Sequence, residues 1–345
     1  MINKPNNLSS NNLIDLSLLK AQKKHFPVLI NEIISNLNLQ NTKPITILDC
    51  TFGAGGYSEQ ILKYNKINNN QNISVVAIDR DESVVKTAEN LKILHPNNFK
   101  FALKTFGDFP SVLASFNLQK VDAIIMDIGI STMQLSQGRG FSFKYNDSLS
   151  MQMGLNNISA KDFVNKATQT QIADVLHYYG EEHKSKSIAN AIVKARALKE
   201  IQTTKELADI ITLEITGSLG KNYKINPATK SFQAIRIYVN NELAELKNAL
   251  SSSLNFLNVG GALMVVSFHS LEDRIVKDFF NENGDVLKPE KENKNIKFTN
   301  YKENKDKIDN KALSILTKKP ITPSMAEGKI NPPSLSAKLR IAIKN

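Results

Sequence analysis

Apolar runs that stop at a polar residue alternate with stretches of helical spacing from residue 25 to residue 131. After Pro27, Val28, Ile30, Ile33, Ile34 and Leu37 recur near helical intervals and predict a helix packed on a sheet. Ile47 and Leu48 close a first strand, with Asp49 at its carboxyl end. Gly53 to Gly56 predict a turn, and Tyr57 to Leu62 the start of a helix. Tyr64 to Asn72, rich in Lys and Asn, predicts a surface loop. VVAIDRDESVV (75–85) predicts a second strand ending at Asp79, followed by a helix over Ser83–Leu94. Phe99–Leu103 predicts a third strand and VDAIIMDIGIS (121–131) a fourth. The unbroken apolar run between Asp122 and Asp127 marks a parallel strand buried on both faces.

From Gln137 the pattern changes. GRGFSFKYNDSLSMQMG (138–154) predicts an ordered loop, and helices follow at Ala160–Ala167, Gln171–Tyr179, Lys184–Lys199 and Lys205–Thr216. No strand signal interrupts them, so they predict an inserted helical subdomain. Residues 226–257 predict one long helix returning to the sheet, with Ile235, Val239, Leu243, Leu246 and Leu250 as its apolar stripe. Gly260 and Gly261 end that connection. ALMVVSFHS (262–270) predicts strand five, LEDRIVKDFF a helix, and Lys338–Ile343 a last strand. Residues 1–24 predict a loose arm with a short helix around Leu13–Lys24, and 281–319 a mobile loop. The expectation is an α/β protein divided at 1–136, 137–225 and 226–345, with the helical insert in the middle.

Composition refines this picture only slightly. The 345 residues are 41% hydrophobic and 22% charged, as in an ordinary soluble protein of one or two domains. The net charge of +11 suggests an anionic partner such as RNA or DNA. The basic residues are spread along an Asn-, Ile- and Lys-rich chain, so the charge is mild support. Lys184, Lys186, Lys194, Arg196 and Lys199 are candidates for phosphate contacts, but Glu181, Glu182 and Glu200 among them equally suit a solvated helix face. The single cysteine, Cys50, excludes a disulfide framework and a cysteine metal site, and the five histidines show no paired ligand spacing, so no metal is expected. No apolar run approaches the ~18 residues of a membrane span, and the amino terminus lacks a signal-peptide apolar region. A reducing cytoplasm is the expected location.

The candidate chemistry gathers at strand ends. A glycine turn between a strand and a helix lets a ligand approach the backbone and meet free N–H groups. Asp79, twenty-six positions after Gly53, is placed to accept hydrogen bonds from two ribose hydroxyls. That serves NAD and S-adenosylmethionine alike. The glycine order departs from G-x-G-x-x-G, since Ser58 stands at the third position, and Asp49 suits a cationic cofactor better than a pyrophosphate. This favours S-adenosylmethionine. Phe109 is expected to offer a flat face to an adenine ring, although a core phenylalanine fits the same pattern. Asp127 is a further carboxylate at a strand end. Ser267, His269 and Ser270 stand at the end of strand five, where His269 is as readily structural as functional.

The motifs HFPVLINEI, DCTFGAGGYS, AIDRD, MDIGIS, QLS, RGFSF, YGEE, NPATKSFQAIRIYVNNELAEL, SFHSLEDR and SAKLR run in order from residue 25 to residue 340. Together they resemble the bacterial small-subunit (16S) ribosomal RNA cytosine-N4 methyltransferases, the RsmH (MraW) family. The resemblance implies a class I, Rossmann-like S-adenosylmethionine-dependent methyltransferase sheet interrupted by a helical substrate-recognition domain. It implies cofactor contacts at Gly55, Gly56, Tyr57, Asp79, Phe109, Asp127 and Gln134. It also implies small ribosomal subunit RNA as partner, methylated on the N4 of a cytidine in the decoding region. Tyr57 stands where the family commonly has histidine, and SLSMQM (148–153) where it usually reads PLDMRM. Ser150 and Gln152 thus replace an acid and an arginine; these departures, with His183, bear on RNA docking.

Cytosine N4 is a poor nucleophile because its lone pair is delocalised into the ring. A site must align it and accept a proton. Asp127, Ser267 and His269 are the candidates. Asp-Ile-Gly-Ile stands where many amino-methyltransferases have an Asp/Asn-Pro-Pro-aromatic turn. Competing expectations are a DNA amino-methyltransferase, a dehydrogenase, and a noncatalytic RNA-binding factor. A monomer and a homodimer are both compatible with the sequence.

Overall fold

The computed structural model describes residues 27–37, 39, 43–67, 72–131, 134–135, 138–143, 145–154, 158–220, 223, 225–287 and 311–345. Eight strands form one sheet: β1 (Ile45–Asp49), β2 (Ile73–Asp79), β3 (Phe99–Leu103), β4 (Val121–Asp127), β5 (Leu257–Ser267), β6 (Gly284–Val286), β7 (Leu313–Ile315) and β8 (Lys338–Lys344). Their spatial order is β3-β2-β1-β4-β5-β8-β7-β6. Pairing is parallel from β3 through β5, and β8 lies antiparallel between β5 and β7. The chain winds outward from β1 to β3, then returns to place β4 on the other side of β1. That reversal opens a crevice at the carboxyl ends of β1 and β4, where open α/β sheets hold ligands.

Strand alternation sorts the side chains into two cores. Ile47, Val75, Ala77, Ile125, Met264 and Val266 face one side, against Ile33, Ile61 and Ala88 of the helices there. Leu48, Val76, Ile78, Ile124, Met126 and Val265 face the other, against Leu113, Leu246, Leu250 and Val276. The expectation of a strand buried on both faces fits β4.

A third core is built mainly from helices. Helices Ala160–Lys166, Gln169–Gly180, Ser185–Leu198 and Thr204–Thr216 enclose Phe163, Ile172, Leu176, Ile188, Ile192 and Ile211. Three of them begin at capping boxes on Ser159, Thr168 and Thr203, each satisfying backbone donors that a helix start leaves open. Phe141, Leu149, Met151 and Met153, from the loop before them, are buried in the same core.

The structure corrects several boundaries. The expected long helix over 226–257 is two helices, Thr229–Asn240 and Glu242–Phe256, broken at Asn241 with φ +53°. Asparagine tolerates that left-handed turn, so the apolar stripe continues across the break. Phe232, Ile235 and Val239 of the first helix belong to the helical core; Leu246, Ala249 and Leu250 of the second lie under the sheet. Residues 64–67 extend the helix Gly56–Ile67 instead of forming a loop. β5 starts at Leu257 and runs through Gly260 and Gly261. The stretch 281–319 contributes β6 and β7, three residues each and too short to show periodicity. The helix expected at Leu13–Lys24 lies outside the described residues. Among the described residues, no helix is long and apolar enough to cross a membrane.

Candidate active site

One cavity lies at the carboxyl ends of β1, β2 and β4, over the glycine turn. Gly53 and Gly55 adopt φ +52° and +81°, and the helix Gly56–Ile67 starts directly behind them. A Cβ on Gly55 would stand 2.9 Å from the Phe52 ring, and one on Gly56 would stand 3.0 Å from Pro27. The turn is thus packed from behind by Phe52 and from the amino-terminal side by Pro27. Tyr57 is buried, and its hydroxyl donates to the Val28 carbonyl at 2.5 Å, fastening that segment to the turn.

Three carboxyl groups end the three strands. Asp49 is fully buried and accepts hydrogen bonds from Ser58 Oγ at 2.7 Å and from the Thr51 N–H at 3.3 Å. Burial pushes its carboxyl up to about 6 against these bonds. Asp79 lines the cavity and accepts the Gly53 N–H on Oδ2 at 2.7 Å and the Asp81 N–H on Oδ1 at 2.9 Å. Burial raises its pKa, with those backbone bonds opposing. The acid expected to meet a ribose is therefore clamped to the glycine turn, and each oxygen keeps accepting capacity.

Asp127 differs from both. Its N–H donates to Thr51 Oγ1 at 2.7 Å, but its carboxyl Oδ1 is buried with no hydrogen-bond partner. Burial pushes the carboxyl up to about 8, and Asp49 and Glu272 add to the rise. A buried acceptor without a donor is costly, which points to a ligand that brings a donor or positive charge.

Gln134 also lines the cavity, its amide held by Asp81 Oδ2 at 2.8 Å and by the Ser131 N–H at 2.9 Å. Gly55 and Gly56 shape the turn, with Gly56 on the wall. Phe109 does not reach the cavity. It is 0% exposed and packs edge-on against Phe256 at 5.6 Å, while Phe52, Phe106 and Phe268 line the cavity. The residues 106–108 form a 3-10 turn ahead of the helix Phe109–Ser115, which points Phe106 outward and Phe109 inward.

Ser267 and His269 are likewise off the cavity wall. Ser267 is 1% exposed, and its hydroxyl faces the Lys338 carbonyl at 3.4 Å across the seam with β8. His269 caps the helix Ser270–Asn283: Nδ1 accepts the Glu272 N–H at 3.4 Å, and Nε2 lies 3.0 Å from Glu272 Oε1. Phe268 between them is the residue that meets the cavity. Sequence reasoning missed Phe106 and Glu242. Glu242 lines the cavity while its two oxygens take Nε and Nη2 of Arg236 at 2.8 and 2.9 Å. Its signal was the break at Asn241, which a continuous apolar stripe conceals.

A glycine turn, the clamped Asp79 and the orphaned oxygen of Asp127 fit a small cationic nucleoside cofactor such as S-adenosylmethionine. A pyrophosphate would meet carboxylates here. Among the described residues, no group of His, Cys, Asp and Glu is arranged to hold a metal ion.

Comparison with known proteins identifies the chain's relatives. The ribosomal RNA small subunit methyltransferase H of Rickettsia canadensis (strain McKiel) is 43% identical over 323 residues, covering 93% of this chain and 98% of the relative. Its namesake in Rickettsia typhi (strain ATCC VR-144 / Wilmington) is 44% identical over 322 residues, at 93% and 98% coverage. That of Orientia tsutsugamushi (strain Ikeda) is 43% identical over 324 residues, again at 93% and 98%. Among solved structures, a putative rRNA-methylase from Clostridium thermocellum aligns over 89% of this chain and 90% of its own, at 10% identity and TM-score 0.37. The model of the MraW methylase family matches residues 22–345, and the chain belongs to that family.

Proposed function

We propose that this protein transfers a methyl group from S-adenosylmethionine to the exocyclic N4 of a cytidine in the decoding region of small-subunit ribosomal RNA. The observation that carries the chemistry is the orphaned Asp127 oxygen at the end of β4, in the same cavity as Asp79 and the glycine turn. The names of the relatives supply the substrate class. The helical core is the part we assign to substrate recognition, and we place the enzyme in the cytoplasm as a monomer or homodimer.

S-adenosylmethionine supplies an electrophilic methyl group on a sulfonium. Everything else is the work of the chain. Asp79, kept in place by the Gly53 and Asp81 N–H groups, would hold the ribose hydroxyls. Phe106, on the cavity wall, would meet the adenine ring. Asp127 Oδ1 accepts a hydrogen from the amino group of the target base, which favours pyramidal nitrogen and then takes up its proton. Free of ligand at neutral pH, that carboxyl is mostly protonated, since it titrates at about 8. A neighbouring positive charge draws it to the carboxylate form that the reaction needs. The base has to leave its stack to reach this depth.

The test is transfer of labelled methyl from S-adenosylmethionine to small ribosomal subunits that lack the modification, with the product mapped to a nucleotide. Label on cytidine N4 that disappears in Asp79→Ala supports the reading. Cofactor binding without transfer to subunits, precursor particles or free RNA contradicts it.

A further inference from the structure

The turn after β2 faces two ways. Asp79 faces the cavity, and the next two residues grip the loop that leads toward the helical core. Asp81 is 3% exposed, and its Oδ2 accepts hydrogen bonds from Gln134 Nε2 at 2.8 Å and from Arg139 Nη1. Arg139 Nη2 in turn donates to the Gln152 carbonyl. Arg80 donates from Nε to the Gly154 carbonyl at 3.0 Å and from Nη1 to the Asn240 carbonyl at 2.7 Å. Asn240, fully buried, holds the same loop from the far side: Nδ2 donates to the Met151 carbonyl at 2.8 Å, and Oδ1 accepts the Met153 N–H at 2.9 Å. The fit leaves no slack at Gly154, where φ is +99° and a Cβ would stand 2.4 Å from the Arg80 carbonyl oxygen.

The loop is equally tied to the helices. Its Leu149 N–H donates to the Gln202 carbonyl at 3.1 Å, and its Leu149 and Ser150 carbonyls accept from Lys161 and Ala160 at 2.7 and 2.8 Å. Phe141, Leu149 and Met151 are buried in the helical core. Two residues of this connection, Gln134 and Met153, are also cavity wall. A ligand that fills the cavity presses on the same segment that positions the helical core.

We propose that Asp81 is a positioning residue that couples the cofactor cleft to the helical substrate-recognition part, so that cofactor and RNA each tighten the binding of the other. Burial works against its charge, but the bonds from Gln134, Ser83 and Arg139 outweigh burial and hold the carboxyl below its ordinary range. An ionised Asp81 gathers Gln134 from the cavity wall and Arg139 from the loop onto one oxygen. Coupling of this kind is reciprocal by linkage. The identity of the second ligand rests on the methyltransferase reading above.

The test uses S-adenosylhomocysteine as cofactor probe and unmodified small ribosomal subunits as RNA probe. With wild type, saturating subunits lower the S-adenosylhomocysteine Kd by about fivefold or more, and S-adenosylhomocysteine lowers the subunit Kd by the same factor. In Asp81→Asn the factor falls toward one, whatever the affinity of the variant for S-adenosylhomocysteine alone. Arg139→Gln shows the same loss, and the double variant loses no more than either single one. Amide hydrogen exchange supplies a readout without RNA: S-adenosylhomocysteine slows exchange over residues 145–154 in wild type and not in Asp81→Asn. Wild type that binds subunits with an unchanged S-adenosylhomocysteine Kd, or Asp81→Asn that keeps the full factor, overturns the proposal. If subunits do not bind wild type, the substrate reading fails and the exchange experiment decides this one: a loop that S-adenosylhomocysteine leaves unprotected overturns it. If Asp81→Asn does not fold, Arg139→Gln carries the same measurements.

Discussion

The carboxyl ends of β4 and β5 read alike in sequence and differ in kind. Both close a buried apolar run with polar side chains, at the edge where an open α/β sheet holds its ligands. At the end of β4, Asp127 keeps a buried oxygen without a partner. At the end of β5, Ser267 turns to β8, and His269 caps the next helix, its Nε2, also without a hydrogen-bond partner, facing Glu272 Oε1 at 3.0 Å away from the cavity wall. The difference teaches that position alone does not make a site. A buried polar group matched inside the fold serves the fold, and one left unmatched at a cavity awaits a ligand.

The comparison breaks most sharply in turnover. Asp127→Asn is expected to lower kcat by about 10²- to 10⁴-fold, the range of a positioned general base, while His269→Ala leaves kcat within a fewfold of wild type. His269→Ala should instead show in stability, costing about 1 kcal/mol as a lost helix cap, measured by denaturant unfolding. Equal losses of kcat in both variants would erase the distinction.

The two phenylalanines sharpen it on the cofactor side. Phe109→Ala should destabilise the protein by roughly 3–5 kcal/mol, as a large core truncation does, and leave cofactor affinity intact in the folded fraction. Phe106→Ala should do the reverse, weakening S-adenosylhomocysteine about tenfold, the loss of a stacked ring worth 1–3 kcal/mol. Calorimetric titration beside thermal unfolding separates the two.

These pairs also show what the sequence made legible. An apolar run cut off by an acid announces a carboxylate at a strand end, and Asp49, Asp79 and Asp127 were all found in that way. Asp79 and Asp127 line the cavity, and Asp49 is locked to Ser58 directly beneath the turn. The helical insert was legible because helical stretches follow one another there without a strand signal. What periodicity lacks is direction. Phe106 and Phe109 are three residues apart, and only the 3-10 turn between strand and helix decides which one meets the cavity. Asn241 breaks a helix without interrupting its stripe, so Glu242 stayed hidden in what read as one continuous face. His269 sits at a strand end in sequence and at a helix cap in space. Contacts between distant segments, such as Asn240 with Met151 and Met153, leave no local pattern at all.

A separate effect is a pH dependence of stability. Asp127 titrates at about 8 in the folded protein against 3.8 ordinarily, so the unfolded chain gives up its proton first. Between about pH 4 and 8 the unfolded state binds fewer protons, and the contribution of Asp127 to stability is lost as pH rises. Asp49, raised to about 6, adds a second loss that ends earlier. Asp127→Asn should remove the part of the slope between pH 6 and 8. An unchanged slope there, by urea unfolding across that range, would remove the case for a protonated Asp127.

The central claim is that the end of β4 carries methyl transfer to ribosomal RNA. Its most direct measurement is single-turnover transfer of labelled methyl from S-adenosylmethionine to unmodified small subunits, comparing wild type, Asp127→Asn and His269→Ala at equal cofactor saturation. The account predicts label on cytidine N4 in wild type and His269→Ala, and a rate at least about 100-fold lower in Asp127→Asn. Label elsewhere than cytidine N4, or an Asp127→Asn rate equal to wild type, would contradict it.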